Sequence, residues 1–286
     1  MMKIVRRPDE MKNLCTTYRK TGKTIGLVPT MGALHDGHLS LIRAARQYCD
    51  VSVVSIFVNP VQFGPSEDFQ KYPRPFDSDC EKTTHAGCDV VFAPSQTDMY
   101  PADYATYIDV RRITDTLCGA ARPGHFQGVA TVVLKFLNIV SPQVTVFGQK
   151  DAQQVAVIKR MATDLNLSTK IVCVPIVREA DGLAMSSRNS YLTAGERTQA
   201  ALIFKGLSEA SERFGAGERS AQRLRETIGS VLMKAALFSP EYIEIVDTTT
   251  LQPLETVTGP ALMAVAVRTK ESGTRLIDNI VLGGEL

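Results

Sequence analysis

The sequence contains no run of five or more like charges, no C-x-x-C pair and no apolar stretch approaching the length of a bilayer span. Each absence removes a class of function. With 32 basic against 30 acidic side chains in 286 residues, the net charge is only +2. That balance leaves no electrostatic footprint for tracking a phosphate backbone, so nucleic acid is not expected as a partner. The longest apolar runs, Val51 to Val58 and Val129 to Val140, are short, and the second is broken by Lys135 and Asn138. Neither reaches the ~20 residues a membrane helix needs, so no membrane partner is expected. The segment Met1 to Glu10 is charged and has no apolar core of a secretory signal. The six cysteines lack metal-ligand spacing, and a chain this long needs no disulfide staples; reduced thiols and a cytoplasmic location are expected. G-x-G-x-x-G, H-E-x-x-H and G-x-S-x-G are all missing, which disfavours a dehydrogenase-type dinucleotide site, zinc hydrolysis and a serine nucleophile. Gly22-Lys23-Thr24 resembles the end of a P-loop but has Thr17 where a glycine is required, and reads as a turn.

What is present is an alternation of short β-branched runs with helical patterns. Strands are expected at Ile25 to Thr30, Val51 to Val58, Val90 to Pro94, Val144 to Gly148 and Ile171 to Val177. Helices are expected at His38 to Cys49, Asp77 to Ala86, Gln127 to Val140 and Asp151 to Leu165. This order specifies an α/β fold with a Rossmann-like parallel sheet flanked by helices. After about residue 180 the pattern changes to two helical stretches, Ala194 to Phe214 and Ser220 to Ala236. Three strands follow, Tyr242 to Asp247, Ala261 to Arg268 and Thr274 to Val281, the last two joined at Glu271-Ser272-Gly273. Two domains are expected: 1–178, and a smaller α+β domain over 179–286.

Four polar, Gly-rich or Pro-rich clusters each follow an expected strand. Loops at the carboxyl ends of parallel strands share one rim, where ligands bind, so the four clusters are expected to meet there. The first, Met31 to His38, places His35 and His38 at a helix N-terminus, where free N–H groups and the dipole favour phosphate; Gly32 and Gly37 keep side chains out of the way of a nucleotide. The second holds Asn59 and Gln62, neutral groups suited to hydroxyls and carboxylates, although Asn59-Pro60 is equally a turn signal. In the third, Gly148-Gln149-Lys150-Asp151 leads to Gln154. Lys150 is either a point charge for phosphate or a solvated partner of Asp151. The fourth, Met185-Ser186-Ser187-Arg188, is either a polyphosphate grip or a Ser-rich turn.

His35-Asp36-Gly37-His38 resembles the HIGH element of the nucleotidyltransferase superfamily, and Met185 to Arg188 resembles its KMSKS loop. More specifically, Val28 to His35, Phe57 to Gly64, Tyr72-Pro73-Arg74, Arg122 to Phe126, Gly148 to Gln154 and Met185 to Asn189 together resemble the pantoate–β-alanine ligase (pantothenate synthetase) family; Arg275 to Asn279 continues the likeness.

That resemblance implies an ATP-dependent ligase joining (R)-pantoate to β-alanine through a pantoyl adenylate, with release of pyrophosphate and AMP. It also implies a homodimer, with the C-terminal domain acting as a lid. Carried onto this sequence, His35, His38, Lys150 and Arg188 would be catalytic. Met31, Gly32, Ala33, Leu34, Asp36, Gly37, Gly148, Gln149, Asp151, Val177, Met185, Ser186 and Ser187 would complete the ATP site. Asn59, Gln62 and Gln154 would hold substrate. Mg²⁺ would ride on the phosphate oxygens, with Asp79 as an outer partner. Members often have Glu at Gln149, and some have two adjacent acids where this chain has Ser78-Asp79. The alternatives are another HIGH-type nucleotidyltransferase or a nucleotide-sensing module without turnover.

Overall fold

The computed structural model describes residues 2–65 and 67–286. In chain order the first elements are β1 (Lys3–Val5), α1 (Pro8–Lys20), β2 (Ile25–Thr30), α2 (Asp36–Ala45), β3 (Val51–Ile56), α3 (Phe76–His85), β4 (Val90–Phe92), α4 (Gln96–Met99) and α5 (Leu117–Ala121). Then come α6 (His125–Val140), β5 (Val144–Gly148), α7 (Ala152–Asp164), β6 (Lys170–Val174), α8 (Ala194–Gly215), α9 (Ala221–Leu232), β7 (Phe238–Asp247), β8 (Ala261–Thr269) and β9 (Arg275–Leu282). The chain divides into two compact units. One comprises residues 1–111, 122–148 and 157–174, the other 112–121, 149–156 and 175–286.

The first unit holds a six-stranded sheet in the order β1-β4-β3-β2-β5-β6, with every neighbouring pair parallel. Burial on both faces explains why its central strands read as apolar runs rather than as alternating patterns: Ile25, Leu27, Val28, Val53 and Val54 are all fully buried. The chain runs from β2 outward to β3 and β4, then returns to the other side of β2 with β5. This leaves a topological switch point between β2 and β5, the position where open α/β sheets bind ligands.

Several elements differ from the sequence expectation. β1 and α1 were not anticipated. β1 has only three residues, two of them exposed, and α1 buries just Met11 and Cys15, too narrow a stripe to stand out among its charges. β6 stops at Val174 rather than Val177 because Pro175 has no N–H for the ladder. β7 begins at Phe238, four residues early, and tolerates Pro240 because it is an edge strand with a register shift at that proline.

In the second unit α8 and α9 cover the antiparallel sheet β7-β8-β9. Ile203 and Leu207 of α8, Leu224 and Ile228 of α9, and Met263, Val265 and Val267 of β8 form its core. Thr193 and Glu196 cap α8 reciprocally, and the buried Glu196 carboxylate also accepts the N–H groups of Glu271 and Ser272, both at 2.9 Å, fixing the β8–β9 turn. Among the described residues no helix is long and apolar enough to cross a membrane.

Candidate active site

Within the six-stranded sheet, β2, β3, β5 and β6 end at Thr30, Ile56, Gly148 and Val174 on one rim, because neighbouring parallel strands point the same way. The first two sequence clusters, Met31 to His38 and Asn59 to Gln62, follow directly on the ends of β2 and β3. Thr30 and Ser55 lock the centre of the rim: the Thr30 hydroxyl donates to the Ser55 carbonyl at 2.6 Å and accepts the Gly32 N–H at 3.2 Å.

The first loop turns sharply. Gly32 at φ 81° and Ala33 at φ 51° are both left-handed, and a Cβ on Gly32 would lie 2.9 Å from an Asp79 carboxylate oxygen. Asp79, on α3 and 1% exposed, accepts the N–H of Ala33 on one oxygen and that of Leu34 on the other, each at 2.8 Å. One turn along α3, Lys82 donates to the Leu34 carbonyl at 2.8 Å. Both Asp79 oxygens therefore serve this loop and anchor its backbone. Among the described residues no group of three or more His, Cys, Asp or Glu side chains could hold a metal ion.

The loop delivers His35 to the N-cap of α2 and His38 to its first turn, with ring centroids 4.1 Å apart. The His35 N–H donates to His38 Nδ1 across a long 3.4 Å. With Nδ1 accepting, the proton of a neutral His38 ring sits on Nε2, as a donor on the far side of the imidazole.

The second loop is buried polar chemistry. Asn59 is 1% and Gln62 8% exposed. The Asn59 amide N–H groups donate to Gln62 Oε1 and to the Gly128 carbonyl, both at 3.1 Å, and Gln62 Nε2 lies 3.0 Å from the Met31 sulfur. Asn59 Oδ1 is buried with no hydrogen-bond partner among the described residues. Such an acceptor costs stability unless a ligand donor meets it.

In the second unit, Gln149, Lys150 and Asp151 form one short 3-10 turn. Asn279 on β9 accepts the Gln149 side-chain N–H at 3.1 Å, and its own amide donates to the carbonyls of Gln149 and Lys150 at 2.9 and 3.0 Å. Gln149 thus completes a neutral amide pair that fixes the backbone carrying Lys150. The next residue back, Asp278, is buried and receives a two-pronged ion pair from Arg178 at 2.6 and 3.0 Å. Burial pushes the Asp278 carboxyl up, while Arg178 and Lys150 pull it down. Arg178 follows Val177, whose carbonyl accepts the Met185 N–H at 3.0 Å. Ser186 then caps the short turn Ser187–Tyr191 by accepting the Arg188 N–H at 3.2 Å.

The first unit therefore brings together Met31 to His38 with Asn59 and Gln62, and the second joins the Gln149–Asp151 turn to the Val177 and Met185 to Arg188 segment through β9. Gln154 is half-buried on α7 beside Gln153. Gln153 is held by the Cys118 N–H and the carbonyls of Ile113 and Thr116. Sequence reasoning gave no roles to Arg178, Asp278 and Asn279, whose partners in these contacts lie 100 or more residues away along the chain.

The pantoate-beta-alanine ligase family pattern matches residues 3–281. The pantothenate synthetase of Pelotomaculum thermopropionicum is 51% identical over 275 residues, covering 96% of this chain and 97% of its own. That of Geobacter sulfurreducens is 52% identical over 284 residues, covering 99% and 100%. The crystal structure of pantothenate synthetase from Thermus thermophilus superposes with a TM-score of 0.92 at 41% identity, over 98% of this chain and 99% of that one. The pantoate-beta-alanine ligase of Francisella tularensis, complexed with beta-gamma ATP and beta-alanine, gives a TM-score of 0.80 at 35% identity, over 98% of each chain.

Proposed function

The chain belongs to the pantoate-beta-alanine ligase family, and from that premise we propose that it condenses (R)-pantoate with β-alanine at the expense of ATP. The observation that carries the reading is local. A buried amide pair with an unmet acceptor, Asn59 and Gln62, touches the same loop that ends in two imidazoles at a helix N-terminus, on the rim beside the switch point. Amides suit the hydroxyls and carboxylate of a small polyhydroxy acid; imidazoles and free helix N–H groups suit phosphate.

In the first step a pantoate carboxylate oxygen attacks the α-phosphorus of ATP, and the bond to the β-phosphate oxygen breaks to release pyrophosphate. Phosphoryl-type transfer asks little covalent chemistry of the protein; it asks for in-line positioning and neutralisation of spreading charge. His38 offers Nε2–H to the phosphates. His35, Lys150 and Arg188 complete the catalytic set, Lys150 as a point charge on the α-phosphate and Arg188 as a planar fork for the departing pyrophosphate. Met31 to His38, Gly148 to Asp151, Val177 and Met185 to Ser187 line the nucleotide, and Asn59, Gln62 and Gln154 hold pantoate. In the second step the β-alanine amine attacks the acyl carbon, loses a proton as the amide forms, and AMP leaves with the electron pair of the acyl C–O bond. No nucleophilic side chain is required.

Magnesium would ride on the phosphate oxygens of ATP and help neutralise their charge, a mode natural to an ion that dehydrates reluctantly. The engagement of Asp79 by two backbone N–H groups supports that assignment over a carboxylate cage. Free thiols at all six cysteines fit a reducing cytoplasm, and the balanced charge fits small-molecule substrates without nucleic acid. The family likeness is the support for a homodimer.

Supplying pantoate, β-alanine and ATP with Mg²⁺ should give pantothenate, AMP and pyrophosphate in equal amounts. Release of ADP and phosphate instead would refute the adenylate route.

A further inference from the structure

The segment Arg122-Pro123-Gly124-His125 lies at the start of α6, and the reaction described above uses none of its side chains. It nevertheless reaches the substrate loop through one chain of contacts. The Arg122 guanidinium makes a two-pronged ion pair with Glu67, both bonds at 2.6 Å, and a third guanidinium nitrogen lies 3.0 Å from His125 Nε2. Glu67 also accepts the Gly64 N–H at 3.2 Å. The other ring nitrogen of His125, Nδ1, lies 2.9 Å from the backbone carbonyl of Gln62.

Donor counting fixes the tautomer. A guanidinium has only donors, so His125 Nε2 must accept, and the ring proton of the neutral imidazole must sit on Nδ1. Nδ1–H then donates to the Gln62 carbonyl. Removing Arg122 frees Nε2 to take the proton, which would leave two lone pairs facing each other at Gln62. The α6 backbone closes the same turn from behind. A Cβ on Gly128 would fall 2.6 Å from the Gln62 nitrogen and Cα, and the Gly128 carbonyl accepts the Asn59 amide. The turn Pro60–Gln62 is short, so the direction of the Gln62 side chain follows from its backbone.

We propose that Arg122 and His125 are positioning residues for pantoate: Glu67 orients Arg122, Arg122 sets the tautomer of His125, and His125 holds the Gln62 carbonyl so that the Gln62 amide meets the substrate. The inference rests on the reading that Gln62 grips pantoate.

Two near-isosteric substitutions separate the donor from the acceptor. In His125→Asn the amide nitrogen can take the place of Nδ1 and keep the bond to Gln62. In His125→Gln the amide sits where Nε2 was, keeping a partner for Arg122 but losing the donor. Steady-state kinetics should show the KM for pantoate raised about tenfold in His125→Gln, the size of one lost hydrogen bond, but within about threefold of the parent in His125→Asn. The KM for ATP and the kcat at saturating pantoate should stay near parental values in both. Arg122→Lys, which keeps a charge for Glu67 but loses the planar fork, should raise the pantoate KM in the same direction, and serves if His125→Gln proves unfolded in a thermal melt. Equal rises for His125→Asn and His125→Gln, or a parallel rise in the ATP KM, would overturn the proposal. Gln62→Ala distinguishes the underlying reading. If it leaves the pantoate KM unchanged, Gln62 is not a substrate group and the relay falls with it. If it raises that KM while His125→Gln and Arg122→Lys do not, only the relay fails.

Discussion

Asp79 offers the sharpest perturbation of the proposed nucleotide loop. Its carboxylate accepts the N–H groups of Ala33 and Leu34, each at 2.8 Å, in a site where Asp79 is 1% and Leu34 2% exposed. Hydrogen bonds to a charged group contribute about 1.5–3 kcal/mol each, and an orphaned buried donor costs about 1–3 kcal/mol. The Ala33 N–H is only partly buried and can turn to water, so the Leu34 bond dominates. Asp79→Ala should therefore destabilise the fold by about 2–4 kcal/mol. Asp79→Asn keeps one acceptor but aims an NH₂ group at the other N–H, and should cost about 1–3 kcal/mol. The strained pair Gly32 and Ala33 relaxes when the clamp goes, and the loop is then held in its binding shape for only part of the time. Apparent affinity falls by that fraction, so the ATP KM of Asp79→Asn should rise about tenfold. Urea denaturation reads the first effect and initial rates at varied ATP the second. The decisive control is magnesium. A clamp raises the ATP KM equally at every Mg²⁺ concentration. If Asp79→Asn instead raised the Mg²⁺ requirement and left the ATP KM at saturating Mg²⁺ unchanged, Asp79 would be a metal ligand.

Other consequences follow from single contacts. Arg178→Ala leaves the Asp278 carboxylate, 2% exposed, without its partner, and should cost about 3–5 kcal/mol in a denaturation curve; Arg178→Met with Asp278→Leu should recover most of it. Lys150→Met should lower kcat for adenylate formation about 10²–10³-fold with little change in the ATP KM, since a charge aimed at the transition state acts mainly there. Burial alone would push the Glu67 carboxyl up, but the paired Arg122 guanidinium outweighs it and holds the pKa at about 2, below the ordinary 4.5. A depressed carboxylate stabilises the fold fully above its ordinary pKa and loses that stabilisation as pH falls toward its folded value. The parent should thus lose stability between pH 4.5 and 2 more steeply than Arg122→Met, and identical acid limbs in urea titrations would refute the pair. Gly32→Ala should impair folding or ATP binding, because the added Cβ meets an Asp79 oxygen at 2.9 Å in a left-handed backbone.

The parallel sheet was legible because Ile25 to Thr30, Val51 to Ile56 and Val144 to Gly148 are mostly buried on both faces and so read as predominantly apolar runs, interrupted only by small hydroxyl residues such as Ser52, Ser55 and Thr145. The amphipathic helices α8 and α9 showed themselves through periodicity, and the turn at Glu271-Ser272-Gly273 through its residues. β1 and α1 were hidden because a short edge strand and a helix burying two residues leave little hydrophobic signal. At the candidate site, chemistry-bearing residue types at strand ends were visible, but the groups that hold them were not. Asn279 reaches Lys150 across 129 positions, and Arg178 reaches Asp278 across 100. Asp79 shows what residue type alone leaves out. Its residue type alone points to a metal partner, and the two backbone N–H groups it faces add an anchoring role that sequence spacing does not reveal.

The most direct measurement is exchange of labelled pyrophosphate into ATP with one acid supplied at a time. Exchange should appear with pantoate alone, need no β-alanine, and collapse in His38→Ala and Lys150→Met. Exchange that required β-alanine, or that persisted unchanged in both variants, would contradict an adenylate formed by these residues.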